Sequence, residues 1–174
     1  MKKLLILLLF VGLNASFAQD WKPSTYVVKF KLKMLGLGVN GKFSGLKVKL
    51  NASNNDIKSI SATVDANTVN TDNSLRDTHL KEKPEFFQVE KFPTLTLAST
   101  QITKGTGNSY SGTFNLTIKD VTKAIKIPFT MEEKGETAIL KTNFSIDRKL
   151  WNFGGNTPGM GDKVEINLTL NLKK

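Results

Sequence analysis

The amino-acid sequence predicts an all-β fold in which about eight antiparallel strands form a single domain. Apolar and polar residues alternate with a period of two through most of the chain, whereas parallel strands show continuous apolar runs. Strands with one apolar face must close into a barrel or pack as a sandwich, because both arrangements bury those faces and protect the strand edges. One short polar segment with helix signals interrupts the series of strands.

The last predicted strand shows the alternation most clearly, because Val164, Ile166 and Leu168 alternate with polar or charged residues. In chain order, the predicted strands cover residues 26–33, 46–50, 60–65, 94–98, 114–119, 125–129, 139–146 and 164–173. Residues 36–41 match the pattern G-x-G-x-x-G, but a strand rather than a helix follows them. We therefore interpret this segment as a hairpin or a bend and not as a dinucleotide site.

The first 18 residues have the features of a signal peptide. Two lysines precede the apolar residues 4–13, and small residues stand at positions −3 and −1 of a cleavage site before Gln19. The apolar segment is too short to span a bilayer comfortably. We expect residues 19–174 to fold as one domain that is periplasmic or secreted. The sequence contains no cysteine that would form a disulfide or bind a metal.

The polar insert after the third predicted strand predicts the helix of the fold. In the sequence Ser-Leu-Arg-Asp, the serine is expected to cap the helix and Asp77 to reach back to the cap. Pro84 ends the helix, which therefore covers about residues 74–82. Its two leucines, Leu75 and Leu80, are expected to face the sheet.

The formal net charge is +10, and removal of the two signal-peptide lysines leaves +8. The lysines are spread along the predicted strands. Lysine-rich strand faces that prevent edge-to-edge pairing explain this distribution, and attraction to anionic lipid headgroups or phosphates is the functional alternative. No basic cluster indicates nucleic-acid binding.

The sequence carries few signals for catalysis. His79 is the only histidine, and neither a metal-ligand cluster nor a nucleophile-elbow pattern accompanies it. Glu132, Glu133 and Glu136 flank a glycine, which is typical of an exposed hairpin turn rather than of catalytic carboxylates. We predict that the protein is not an enzyme and requires no cofactor or metal ion.

Several short motifs follow one another in the mature chain. Residues 71–93 contain Thr71, Asn73, Arg-Asp-Thr-His-Leu at 76–80, Phe-Phe at 86–87 and Phe-Pro at 92–93. Other motifs are Gly-Lys-Phe-Ser-Gly at 41–45, Gly-Thr-Phe-Asn-Leu-Thr-Ile at 112–118, Val-Thr-Lys at 121–123, Asp-Arg at 147–148 and Phe-Gly at 153–154. In type and order, this series resembles the YceI-like, polyisoprenoid-binding family.

The resemblance implies an extended, lipocalin-like antiparallel barrel of eight strands with a long apolar tunnel for a polyisoprenoid chain. We therefore expect the protein to bind and to carry or sequester a long-chain isoprenoid lipid, such as a polyprenyl phosphate or an isoprenoid quinone. The alternative is a non-lipid interaction module whose barrel is filled by its own side chains. Transient contact with an anionic membrane surface and a homodimer are further expectations, and no nucleic-acid partner is expected.

Apolar residues on the inward faces of the strands are expected to line the tunnel. These candidates are Phe30, Leu32, Phe43, Ile118, Phe144, Ile146, Ile166 and Leu168. Phe86, Phe87 and Trp151 are expected at its mouth.

Three polar residues are candidates for contact with a lipid headgroup. His79 is expected to contact the headgroup or to make a structural hydrogen bond. Arg76 and Arg148 are expected either to bind a phosphate, whose geometry a guanidinium matches, or to pair with the neighbouring Asp77 and Asp147.

Overall fold

The computed structural model describes residues 18–53 and 56–174. Apart from its last residue, the predicted signal peptide lies outside this part of the chain, so its cleavage stays a prediction. The strands are β1 (Ala18–Met34), β2 (Leu37–Phe43), β3 (Leu46–Ser53), β4 (Asp56–Asp65), β5 (Thr94–Lys104), β6 (Ser109–Ile118), β7 (Val121–Lys134), β8 (Thr137–Asp147) and β9 (Lys163–Lys173). The helix α1 (Ser74–Glu82) and the 3₁₀ turns Ala66–Thr68 and Arg148–Trp151 lie between strands. Within the described ranges, no helix is long and apolar enough to cross a membrane.

The strands form one antiparallel sheet that closes on itself because β1 also pairs with β9. Both β2 and β3 pair with β1 in the same hairpin register, as the pairs Val28–Phe43 and Trp21–Leu50 show. They are therefore two halves of one barrel strand, interrupted at residues 44–45. The nine strand segments thus occupy eight positions around the barrel. This arrangement confirms the predicted eight-stranded antiparallel barrel.

A tyrosine hydroxyl bridges the interruption between β2 and β3. The hydroxyl of Tyr26 accepts a hydrogen bond from the backbone N–H of Leu46 at 3.2 Å and donates one to the carbonyl of Ser44. The side chain thereby satisfies backbone groups where β1 and its neighbour separate. The sequence pattern does not reveal β2, because Gly41 interrupts the apolar alternation of Leu37, Val39 and Phe43.

The helix has the predicted limits but a different cap. It covers Ser74–Glu82, and Pro84 follows its C-terminal cap, Lys83. The N-cap is Asn73 instead of the predicted serine, because the Asn73 side chain accepts a hydrogen bond from the N–H of Arg76 at 2.9 Å. Asparagine fulfils this role as well as serine does, so the start of the helix is unchanged.

Two side chains of α1 also differ from expectation. Asp77 does not reach back to the cap; its carboxylate accepts hydrogen bonds from the backbone N–H and the hydroxyl of Thr71. Leu80 is buried as expected, whereas Leu75 is 66% exposed and does not face the sheet. The helix therefore covers the barrel with one narrow face.

Two clusters of buried side chains divide the barrel into two ends. We call the end at which β1 begins and β9 finishes the packed end. The open end carries the β1–β2 turn, α1 and the β8–β9 connection. The packed end is filled by Trp21, Leu46, Leu50, Ala52, Ile57, Ile60, Tyr110, Phe114, Ile127, Phe129, Met131, Ala138, Leu140, Leu170 and Leu172. The smaller cluster at the open end consists of Ala66, Val69, Leu80, Phe87, Ile118 and Trp151.

Candidate functional site

A cavity occupies the open end of the barrel, between the β1–β2 hairpin, α1, the segment after α1, the β8–β9 connection and β9. Its volume is about 440 Å³, which lies within the range of about 300–1,000 Å³ for small-molecule sites. Most of its lining side chains are apolar. A long tunnel through the whole barrel is not confirmed, because the packed end is filled by its own side chains.

Aromatic rings form a continuous series along the cavity. The ring centroids of Phe30 and Phe43 are 5.4 Å apart, and those of Phe43 and Phe87 are 5.7 Å apart. Phe153 extends the series, at 4.6 Å from Phe87 and 5.7 Å from Phe86. These tilted and edge-to-face contacts are favourable for aromatic pairs, so the rings support one another while leaving space beside them.

The position of Phe30 depends on a glycine in the neighbouring strand. Phe30 of β1 pairs with Gly41 of β2, and the phenylalanine ring lies over the glycine where a Cβ atom would otherwise stand. Any side chain at Gly41 would collide with this ring and displace it. The glycine therefore lets the ring lie against the strand instead of extending into the cavity.

One face of α1 provides the polar part of the lining. Arg76, His79, Leu80 and Lys83 all line the cavity. Arg76, His79 and Leu80 are spaced three and four residues apart on one side of the helix, and Lys83 is its C-cap. The helix therefore brings two basic side chains and the histidine to the edge of an otherwise apolar space.

Arg76 keeps part of its hydrogen-bonding capacity unused. Its Nε donates to the hydroxyl of Thr71 and its Nη2 to the carbonyl of Thr71, both at 2.8 Å. Asp77 accepts its two hydrogen bonds from Thr71 and forms no ion pair with Arg76, so the pairing that was one of the two predictions for Arg76 is absent. In the described part of the chain, Arg76 makes no ion pair, and three of its five N–H groups have no protein acceptor. These groups are available to an anionic or carbonyl ligand.

All five N–H groups of the Arg148 side chain donate hydrogen bonds within the protein. Its Nε and four Nη hydrogens bond to the side chain of Asp162 at 3.2 Å and to four backbone carbonyls. The carbonyls belong to Phe153, Gly155, Met160 and Gly161, at 2.7–3.0 Å. The side chain is only 3% exposed. Arg148 therefore holds the β8–β9 connection in place and has no donor left for a headgroup.

The partner predicted for Arg148 was wrong in one respect. Asp147 does not pair with it; the Asp147 carboxylate instead accepts a hydrogen bond from the N–H of Lys149 at 2.9 Å and caps the 3₁₀ turn. Asp162, which follows this connection, is the acidic partner. Arg148 does form an ion pair with an aspartate, but that aspartate comes close only because the β8–β9 connection folds back on itself.

Eleven of the fourteen predicted site residues line the cavity. They are Phe30, Leu32, Phe43, Arg76, His79, Phe86, Phe87, Ile118, Ile146, Arg148 and Ile166. Their role in ligand binding stays a prediction.

Three predicted site residues lie outside the lining. Phe144 and Leu168 face inward but lie nearer the packed end of the barrel, where they pack against its core. Trp151 is not at the mouth; it is buried beneath the cavity, and its indole N–H donates to the carbonyl of Leu116 at 3.0 Å. Alternation identifies an inward face but not the depth at which each residue meets the core.

Other lining residues were not predicted. Met34 follows the predicted first strand and continues the alternation of Phe30, whereas Val164 lies within the predicted last strand but was not among the candidates. Phe153 and Met160 lie in the β8–β9 connection, which has no periodic pattern. Among the described residues, no group of three or more His, Asp or Glu side chains is arranged to hold a metal ion.

Comparisons with known proteins identify the family of the chain. The model of the YceI-like domain matches residues 20–172. The chain belongs to the YceI-like family. A UPF0312 protein of Pectobacterium atrosepticum is 30% identical over 128 residues, which are 72% of this chain but 66%, just under two thirds, of that relative. A UPF0312 protein of Yersinia pestis is 30% identical over 169 residues, covering 90% of this chain and 85% of the relative.

Two solved structures share the barrel fold of this chain. BcnA of Burkholderia cenocepacia is similar with a TM-score of 0.78 and 22% identity, over 84% of this chain and 95% of that one. A polyisoprenoid-binding domain from Saccharophagus degradans, implicated in plant cell wall breakdown, is similar with a TM-score of 0.66 and 12% identity, over 88% and 97% of the two chains. At these identities, the likeness shows the barrel fold alone.

Proposed function

We propose that the protein binds a long-chain isoprenoid lipid, a polyprenyl phosphate or an isoprenoid quinone, and carries or sequesters it after export to the periplasm or the exterior. The observation that carries this proposal is the apolar cavity at the open end, with its aromatic wall and an arginine that has unused donors at its edge. The polyisoprenoid-binding domain of similar fold from Saccharophagus degradans supports the same ligand class.

The cavity volume limits how much of the lipid is enclosed. A space of about 440 Å³ suits one small ligand or one segment of a long chain. Each buried CH₂ group contributes about 0.8 kcal/mol, so about ten buried carbons would contribute on the order of 8 kcal/mol before the cost of ordering the chain. The remainder of a long chain would leave through the open end. Exchange with a membrane would then set the effective affinity, because such lipids are almost insoluble in water.

The face of α1 would hold the polar end of the lipid. A phosphate would accept hydrogen bonds from Arg76, whose guanidinium suits two-point contact, and Lys83 would add a second positive charge. A quinone carbonyl would accept a single bond from the same arginine. His79 lies between these two basic residues along the helix and would be the third contact.

The alternative, an interaction module with a filled barrel, predicts bulky side chains meeting at the centre of both ends. The packed end has this character, but the open end contains a cavity. The lipid-binding hypothesis therefore accounts for more of the molecule. A homodimer stays a prediction that mass measurement in solution would check.

Filling the cavity tests the proposed function. Ile166→Trp places an indole in the lining, whereas Val27→Trp places the same group on the outer face of β1, where Val27 is exposed. We expect organic extraction and mass spectrometry to find an isoprenoid lipid with the wild type and with Val27→Trp, and about tenfold less with Ile166→Trp. Thermal unfolding would establish that both variants are folded. Equal lipid in all three proteins would exclude the cavity as the binding site.

A further inference from the structure

The turn between β1 and β2 exposes two leucines to solvent. Leu35 is 77% exposed and Leu37 is 75% exposed. They belong to the hairpin tip, residues 34–37, in which Met34 pairs with Leu37 across a two-residue loop. Two large apolar side chains on so small an element are unusual for a surface that meets only water.

The conformation of the loop makes a leucine a poor choice for stability. Both loop residues have positive φ, 50° at Leu35 and 81° at Gly36. Such two-residue loops favour Asn-Gly or Asp-Gly, because asparagine and aspartate tolerate the left-handed region better than leucine does. Leu35 therefore combines backbone strain with solvent exposure, and residues that persist in this condition tend to serve function.

The strands behind the tip are strongly basic. Residues 27–43, which form this hairpin, contain four lysines and no acidic residue. Lys29, Lys31 and Lys33 alternate along β1 with inward-facing residues and are exposed. An apolar tip with a lysine-rich stem has the composition of elements that insert into the interface of anionic membranes, since leucines enter the acyl boundary while lysines meet the headgroups.

The tip also stands beside the cavity. Met34 in the tip and Val39 just after it line the cavity, as does Leu75, which is itself exposed at the start of α1. The backbone N–H of Leu35 bonds to the carbonyl of Gly159 at 2.8 Å and fixes the tip to the β8–β9 connection. A surface that accepts Leu35 and Leu37 would therefore cover the edge of the open end.

We propose that the hairpin tip docks the protein on an anionic lipid bilayer by inserting Leu35 and Leu37, with the lysines of β1 against the headgroups. Docking in this orientation turns the open end of the barrel towards the membrane. The purpose of the docking, lipid exchange, rests on the proposed function, whereas the docking itself requires only the hairpin. Its electrostatic part weakens as ionic strength rises.

Co-sedimentation with vesicles tests the proposal. One set of vesicles is pure phosphatidylcholine, and the other is an equal mixture of phosphatidylcholine and phosphatidylglycerol. We expect the wild type to bind the mixed vesicles much more strongly than the neutral ones. The double variant Leu35→Asn/Leu37→Asn is expected to lower the partition coefficient about tenfold or more. Val27→Asn, which removes an exposed apolar group from the outer barrel wall, should leave it unchanged.

The single variant Leu35→Asn separates docking from a structural role. Because asparagine suits this loop position, we expect the melting temperature to stay equal or rise while vesicle binding falls. A lower melting temperature together with unchanged vesicle binding would assign Leu35 to the fold and overturn the proposal.

Two other outcomes would also overturn it: wild type that binds neither vesicle, and a double variant that binds like the wild type. If the wild type does not bind vesicles but self-associates through the tip, the surface that the tip contacts belongs to a second copy of the protein. Lipid extraction from the same variants distinguishes the two proposals. If no lipid co-purifies while vesicle binding still depends on the tip, the docking proposal stands and the proposed function fails.

Discussion

The two ends of this barrel are built from the same strands, but side chains fill one end and a cavity occupies the other. On β9, Leu170 lies in the packed end and is 1% exposed, whereas Ile166, four residues earlier on the same face, lines the cavity. Both residues follow the same alternation. The difference shows that an inward-facing position in a barrel strand does not by itself indicate whether the interior at that depth is filled or hollow.

The cause of the difference lies in the aromatic residues and in what closes each end. At the packed end, Tyr110 stacks on Phe129 at 5.1 Å and Phe114 meets Phe129 at 6.5 Å, so rings fill the interior. At the open end, the rings follow the cavity wall, and α1 and the β8–β9 connection cover it from outside. An eight-stranded barrel leaves space for a ligand only where its own rings are kept aside.

The largest effect is expected at the arginine that holds this cover. Arg148→Ala would leave four backbone carbonyls without their donor and would remove one of the two cations that pair with Asp162, whose other partner is Lys149 at 2.9 Å. Hydrogen bonds to a charged group contribute about 1.5–3 kcal/mol each, so losing this buried set of bonds together should cost about 3–5 kcal/mol. We expect urea denaturation to show a loss of this size in the free energy of unfolding.

The matched variant is Arg76→Ala, which removes an arginine from the same cavity. Arg76 bonds only to Thr71 in the described part of the chain, so we expect a loss of about 1 kcal/mol in stability. Lipid with an anionic head should nevertheless co-purify in smaller amounts. Equal destabilisation by the two variants would contradict the division between a structural arginine and a ligand-binding one.

A smaller effect on the free energy of unfolding is expected from truncating Leu170 and Ile166 of β9. Leu170→Ala would create a new cavity in the packed end and cost about 3 kcal/mol, because its neighbours cannot collapse into the space. Ile166→Ala only enlarges an existing cavity and should cost about 1 kcal/mol. Chemical denaturation of both variants measures the difference. Similar losses at the two positions would mean that the open end is as tightly filled as the packed end.

The smallest effects are expected at two glycines that lie under phenylalanine rings. A Cβ at Gly112 would collide with Phe114 in the packed end, and one at Gly41 would collide with Phe30 beside the cavity. Phe114 has no free space to enter, so we expect Gly112→Ala to cost about 2 kcal/mol or more. Phe30 can move into the cavity, so Gly41→Ala should cost about 1 kcal/mol.

The glycine pair also has a functional readout. The displaced Phe30 ring would occupy part of the cavity, so Gly41→Ala should reduce the amount of co-purified lipid. Gly112→Ala should leave the lipid content of the folded fraction unchanged. Thermal unfolding combined with lipid extraction gives both quantities, and a reversal of the order in stability would show that Phe30 has no room to move.

The fold was predictable because its signals are local. Alternation gives the eight barrel strands, and Pro84 with the polar residues before Leu75 gives the limits of α1. The half-strand β2 was not predicted because one glycine, Gly41, replaces an apolar residue at the position where the Phe30 ring needs space. The YceI-like motifs in residues 71–93 lead to the family, since several of them occur in order.

The site was predictable only in part, because its remaining features depend on tertiary structure. The acidic partner of Arg148 lies fourteen residues away across an irregular connection. The depth of Phe144, Leu168 and Trp151 depends on where the aromatic residues of other strands meet. None of these facts has a local pattern in the sequence, whereas the alternation within each strand does.

The closure of β1 on β9 joins residues from nearly opposite ends of the chain, as in the bond from the Ser24 hydroxyl to the carbonyl of Asn171, 147 residues apart. Contacts of such long range make folding slow, since the chain must lose most of its freedom before they form. Because the cavity is lined by both strands, it is complete only when β1 and β9 are paired. A ligand that binds the cavity would therefore not accelerate folding steps that precede this pairing; it would slow the rate at which the folded barrel unfolds.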